Sequence, residues 1–121
     1  HVENMLAIVD LTTDKVEKVE VGSGPAQVYV DSKNNLAYVA NQGTKDNPSN
    51  SVTVVDITSK QVTATIETGK GAHGVVTSAD SERLYVTNMF ENTVTIIDTV
   101  ENKVIATIDV GEIPNGITIM K

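Results

Sequence analysis

Residues 83–111 read RLYVTNMFENTVTIIDTVENKVIATIDVG. Three short runs inside this stretch are rich in β-branched side chains: Leu84–Thr87, Val94–Ile97 and Val104–Ile108. Such residues lose rotamer freedom in a helix and pack well on a pleated surface, so each run is a strand. Between the strands lie Asn88–Asn92 and Asp98–Lys103, whose Asn, Asp, Glu and Thr suit tight connections.

The same pattern is written earlier in the chain. An Asp closes the middle strand as Asp10, Asp56 and Asp98, each after an apolar pair, and six residues later stands Val16, Val62 or Val104. A glycine follows as Gly22, Gly69 and Gly111, and three residues beyond it comes Pro25, Ala72 or Pro114. Asn41 and Asn88 close the tetrapeptides YVAN and YVTN. Asp10 and Asp56 are 46 residues apart, Asp56 and Asp98 are 42 apart, and most of the difference falls between Asn41 and Ser51. Four short strands in a period of 40 to 50 residues are the signature of β-propeller blades.

LYVTN, NTVTIIDT and NKVIATIDVG resemble the YVTN family of β-propeller repeats, whose hallmark is approximately VGxxPxGVxVSPDGxxLYVxNxxxNTVSVIDTxTxKVVATI. The resemblance covers almost the whole chain. It implies an all-β fold of four-stranded antiparallel blades, and a setting outside the cytoplasm of a bacterium or archaeon: periplasmic, at the surface layer or secreted. It does not fix an activity, because such repeats carry many roles.

Composition agrees with this reading. Hydrophobic residues make up 40% of the 121 residues and aromatics 3%, so Val, Ile and Leu must fill the core. The net charge of −7 argues against nucleic-acid backbone and anionic membrane surfaces as partners. There is no cysteine for disulfide or thiolate chemistry, and no apolar run long enough to insert into a membrane. No secretory leader is visible, and the chain starts at His1 rather than Met, as a processed or trimmed product does.

Eleven strands are expected, dividing the chain into a partial unit at 1–24, full units at 25–71 and 72–113, and a partial unit at 114–121. The first unit supplies two strands, Met5–Leu11 and Val16–Val21, and the last supplies one, Gly116–Met120. Closed propellers have about 4–8 blades, which at this period needs roughly 170–340 residues. The ring is therefore incomplete. Two completions are open: the chain is part of a longer propeller, or copies associate head to tail through a composite blade. The second leaves that blade one strand short.

In the propeller implied by the resemblance, one face carries the connections Gly22–Ala26, Gly69–Gly74 and Gly111–Gly116, the turns Gln42–Asn50 and Met89–Asn92, and His1–Asn4. His73, in GKGAHG, is the chief candidate there, as a metal ligand, a general base or a polar lining residue alongside Asn115 and Gln27 of the other repeats. His1, with its terminal amine, is a second possible copper or zinc ligand; related propellers that carry copper or haem place histidines at inter-blade positions. No cofactor is predicted from the residues themselves. The departure GTKDNPSNS at 43–51 is a surface insertion or a rim loop offering Asp46, Asn47 and Asn50. Asn41 and Asn88 are expected to tie the turns of this face, with Asn88 a further candidate contact. Asp10, Asp56 and Asp98 are expected to cap the turns that follow them.

No catalytic triad, phosphate cradle or paired-carboxylate motif can be assembled. The leading expectation is a non-catalytic binding scaffold that engages a protein, glycan or small ligand through this face, called here the top. The alternatives are a metal- or haem-associated redox segment using His73, and a lactonase-like hydrolase. The expected partners are the remaining blades or further copies of the chain.

Overall fold

The computed structural model describes residues 4–111 and 117. Over these residues the chain is strand and tight turn: β1 (Met5–Val9), β2 (Val16–Glu20), β3 (Pro25–Asp31), β4 (Leu36–Gly43), β5 (Pro48–Asp56), β6 (Gln61–Glu67), β7 (Ala72–Thr77), β8 (Arg83–Asn88), β9 (Thr93–Asp98) and β10 (Lys103–Asp109). The eleventh strand expected at 116–120 lies outside the described residues. Strands β3–β4–β5–β6 and β7–β8–β9–β10 form two four-stranded antiparallel sheets, and β1–β2 form a two-stranded one. Two blades and the outer half of another are therefore present.

The repeat seen in sequence is a repeat of register. Leu6 pairs with Val19, Val52 with Ile66 and Val94 with Ile108, all four residues before the closing Asp. Both inner strands carry an irregularity at the same place, between Pro25 and Val28 in β3 and between Ala72 and Val75 in β7. Both outer strands do the same, one skipping Thr63 and the other Ile105. Such bulges increase twist locally, and here they fall at matching sites in each blade.

The turns follow one chemistry. Asp56 Oδ1 accepts from the amides of Thr58 (2.9 Å) and Ser59 (3.0 Å), and Asp98 Oδ1 from those of Val100 (2.9 Å) and Glu101 (3.3 Å). Asp10 Oδ1 accepts from Thr12 N at 2.9 Å and Thr12 Oγ1 at 2.6 Å, and these bonds hold its carboxyl below the usual range. Asp31 uses the same device toward Lys33 and Asn34. Four residues after Asp10, Asp31, Asp56, Thr77, Asn88 and Asp98 the backbone turns left-handed, at Asp14, Asn35, Lys60, Ser81, Asn92 and Asn102. Asp and Asn visit that region more readily than other side chains, which explains the polar turn sequences.

The segment at 43–51 differs from the expected loop. Gly43 pairs with Pro48, so β4 and β5 run on past the body of the blade and only residues 44–47 turn. The extra residues lengthen a hairpin.

The main core lies between the two full blades. It joins Tyr38, Ala40, Val52, Val54 and Ile66 of one to Ala72, Val75, Leu84, Val86 and Ile97 of the other. A smaller core seats Val19 of the half-blade against Ala37 and Val55. Tyr38 is fully buried and its hydroxyl has no protein partner among the described residues. Burial, with Asp31 adding a smaller effect, pushes its pKa up to about 12.

Equivalent positions show where the ring is open. Val19 and Ile66 are 8% and 5% exposed, but their counterpart Ile108, on the last blade, is 49% exposed. At the other end, Val75 of β7 is 6% exposed, whereas its counterpart Val28 is 47% exposed beside the half-blade. The glycines repeat the message. A Cβ on Gly22 would lie 2.5 Å from Asn41 Nδ2, and one on Gly69 would lie 2.8 Å from Asn88 Nδ2 and 2.6 Å from Glu91 Oε2. One on Gly111 would meet nothing among the described residues within 4 Å.

Two predictions follow from this packing. Gly69→Ala should lower unfolding free energy by about 1–3 kcal/mol, the usual cost of overpacking, while Gly111→Ala should change it by less than about 0.5 kcal/mol in this chain; equal losses in denaturant titrations would refute the contrast. Tyr38→Phe should be near neutral at pH 7, because no hydrogen bond to another described residue is removed. Since the folded pKa is raised, the tyrosine stabilises the fold fully below its ordinary value near 10 and loses that contribution as pH rises toward about 12. Thermal melts across this window should show a smaller alkaline loss for Tyr38→Phe than for the wild type.

Candidate functional site on the top face

Backbone hydrogen bonds gather the top face from three kinds of segment. At the first junction, Gln42 N donates to Gly24 O (2.8 Å) and Gly43 N to Ser23 O (3.2 Å). At the second, Met89 N donates to Gly71 O (3.0 Å) and Phe90 N to Lys70 O (3.1 Å). Gly71 N also donates to Ser49 O at 2.7 Å, tying the extended hairpin to the next blade. Gly71 has φ +75°, and Phe90 covers it so closely that a Cβ there would lie 2.5 Å from Phe90 Cδ2. Only glycine suits that position.

His73 lies in β7 and is half-buried. Its Nδ1 is 2.7 Å from Gln42 Oε1, a side chain from the neighbouring blade. An amide oxygen only accepts, so Nδ1 is the donor in this contact. Sequence reasoning had no reason to single out Gln42, since it stands 31 residues away and beyond the YVAN motif.

Several candidate residues change meaning. The register pairs Pro25 with Asn41 and Ala72 with Asn88, which makes Ala26, not Gln27, the counterpart of His73. Gln27 matches Gly74, so the series of polar lining residues expected from His73, Gln27 and Asn115 is not formed by Gln27. Asn88 is also corrected as a ligand contact: it is fully buried, donating from Nδ2 to Thr93 Oγ1 at 3.0 Å and Thr95 Oγ1 at 2.7 Å. Asn41 does the same to Ser51 Oγ (3.0 Å) and Thr53 Oγ1 (2.9 Å). Asp46 and Asn47 are exposed in the hairpin turn, which Asn47 closes by exchanging bonds with Thr44. Asn50 is exposed on β5, its carbonyl accepting from Thr68 N at 2.7 Å. His1 and Asn115 lie outside the described residues.

A cleft of about 550 Å³ opens on this face, lined by Lys45, Pro48, Lys70, Met89, Phe90 and Asn92. On the opposite face, Ser81 Oγ donates to Asp31 Oδ1 (3.1 Å) and Lys33 Nζ to the carbonyl of Asp80 (3.3 Å), bonds that join the blades there. Ser78 and the Glu82 amide hold the Asp80 carboxyl below its ordinary range. Among the described residues, no three His, Cys, Asp or Glu side chains gather as a metal site, and no helix is long and apolar enough to cross a membrane.

Solved propellers share this fold. The chain is similar to Kuenenia stuttgartiensis hydrazine synthase, with a TM-score of 0.82 and 28% identity over 93% of this chain and 32% of that one. It also resembles apo AztD from Citrobacter koseri (TM-score 0.74, 15% identity, 93% and 31%). A third match is dihydro-heme d1 dehydrogenase NirN in complex with DHE (TM-score 0.77, 12% identity, 94% and 25%). No protein-family model matches the chain, and no curated protein sequence does. The chain spans a quarter to a third of the length of these structures, and what it shares with them is an all-β set of four-stranded antiparallel blades from a partial propeller.

Proposed function

We propose that this chain is a wedge of a larger YVTN-type propeller and serves as a non-catalytic scaffold whose top face binds a protein, glycan or small ligand outside the cytoplasm. The observation that carries the wedge reading is the uncovering of equivalent residues at both ends, Val28 at one and Ile108 at the other. Neighbouring blades would cover both. The scaffold reading is supported by where the recurring polar residues are engaged: the three aspartates in turns, the two asparagines on threonines of their own blade. What remains on the top face are non-recurring side chains, and these suit recognition.

The test is binding by the full propeller to arrays of glycans and extracellular proteins. A retained ligand should weaken about tenfold with His73→Ala or Gln42→Ala and be unaffected by Lys103→Ala on the outer strand. Insensitivity to both top-face changes, or turnover of lactones that disappears in His73→Ala, would overturn the scaffold reading.

A second reading has one specific observation behind it. With Nδ1 donating to Gln42, His73 presents Nε2 in the way a metal-ligating histidine does when a carbonyl orients its ring. Further ligands would have to come from other blades. Copper or zinc retained by the full propeller and lost in both His73→Ala and His73→Gln would favour this reading.

A further inference from the structure

The cleft over Phe90 is a departure from the repeat, and the preceding junction serves as its internal control. The backbone bonds pair Lys70 with Phe90 and Gly71 with Met89; one repeat earlier the same bonds pair Ser23 with Gly43 and Gly24 with Gln42. The scaffold thus builds this junction without a lysine, a methionine or a ring. Where it has them, the extended hairpin brings a second lysine, Lys45, and Pro48 to the same cleft.

The chemistry is selective. Met89, Phe90 and Pro48 give an apolar surface, and Asn92 a polar side chain. Two of the chain's nine Lys and Arg residues line this one cleft, in a protein of net charge −7. Neither makes an ion pair among the described residues, and no acidic side chain lines the cleft. Asp46 and Glu91 stand in the flanking turns and oppose a ligand of high negative charge. Together these features fit a compact monoanion with an apolar ring. A cleft of this size accommodates a small molecule, and ammonium–carboxylate hydrogen bonds are stronger than neutral ones.

We propose that Lys45, Lys70, Met89 and Phe90 form a binding site for a small aromatic carboxylate. This rests on the reading of the top face as the ligand-binding face and names the ligand class.

The experiment is an amide-resolved NMR titration with 2-naphthoate, with 2-naphthalenemethanol and 2-naphthylmethylammonium as neutral and cationic analogues. Saturable shifts at residues 45, 70, 89 and 90, with 2-naphthoate at least tenfold tighter than either analogue, are expected. Lys45→Gln/Lys70→Gln should weaken 2-naphthoate about tenfold while leaving the neutral analogue unchanged, and Phe90→Leu should weaken both. Equal affinity for all three compounds overturns the proposal, as do shifts confined to the open ends at Val28, Val30, Ile105 and Ile108. Shifts centred on His73 and Gln42 instead also overturn it, yet leave the top-face scaffold reading standing. That reading fails separately, if array ligands ignore His73 and Gln42.

Discussion

A buried asparagine beneath a glycine is the constraint on which the rest of this structure depends. Asn41 and Asn88 stand at matching places in the second strand of their blades, fully buried, and each amide nitrogen donates to two side-chain hydroxyls of the adjacent strand. The glycine that ends the previous blade lies so close to this side chain that no Cβ fits. A buried polar group is costly unless it is bonded, so the hydroxyls that receive each Nδ2 come with the close approach, while the Oδ1 of both asparagines has no partner among the described residues. The set fixes where one blade sits on the next.

From that contact the other features follow. Once blade spacing is fixed, Val and Ile on facing sheets meet in a core almost without aromatic residues, Tyr38 being the fully buried exception. The segments leaving Gly22 and Gly69 are held over the turns of the next blade by paired backbone bonds. A platform of rigid main chain results, and side chains can vary on it without disturbing the fold. His73, Gln42, Lys70 and Phe90 all stand on that platform.

Much of this was legible in the sequence because it repeats. Short β-branched runs, an Asp closing one strand of each unit and a Gly–Asn spacing recur, and recurrence turned weak local signals into blade boundaries. What did not repeat was harder to read. Gln42 was placed on the top face, but its contact with His73 could not be read because the two come from different blades. Residues 43–51 looked like a loop from their polar composition, although Gly43 and Pro48 carry the pairing onward. Gln27 looked equivalent to His73 because both are polar, although the spacing from Gly22 and Gly69 already puts Ala26 in that place, and the pairing of Pro25 with Asn41 and of Ala72 with Asn88 agrees. Asn88 looked available because a polar residue beside a turn usually faces water; its burial depends on a glycine 19 residues earlier.

A wedge with two open faces must show itself in the solution mass of the chain. Light scattering after size-exclusion chromatography, over a range of concentrations and with a hydrophobic dye present, is the measurement. Open ends give one of two results: oligomers heavier than the 12.9 kDa chain, with dye excluded as the faces close on one another, or a monomer that binds dye. A stable 12.9 kDa monomer that binds no dye and melts at a temperature independent of concentration would contradict the wedge reading.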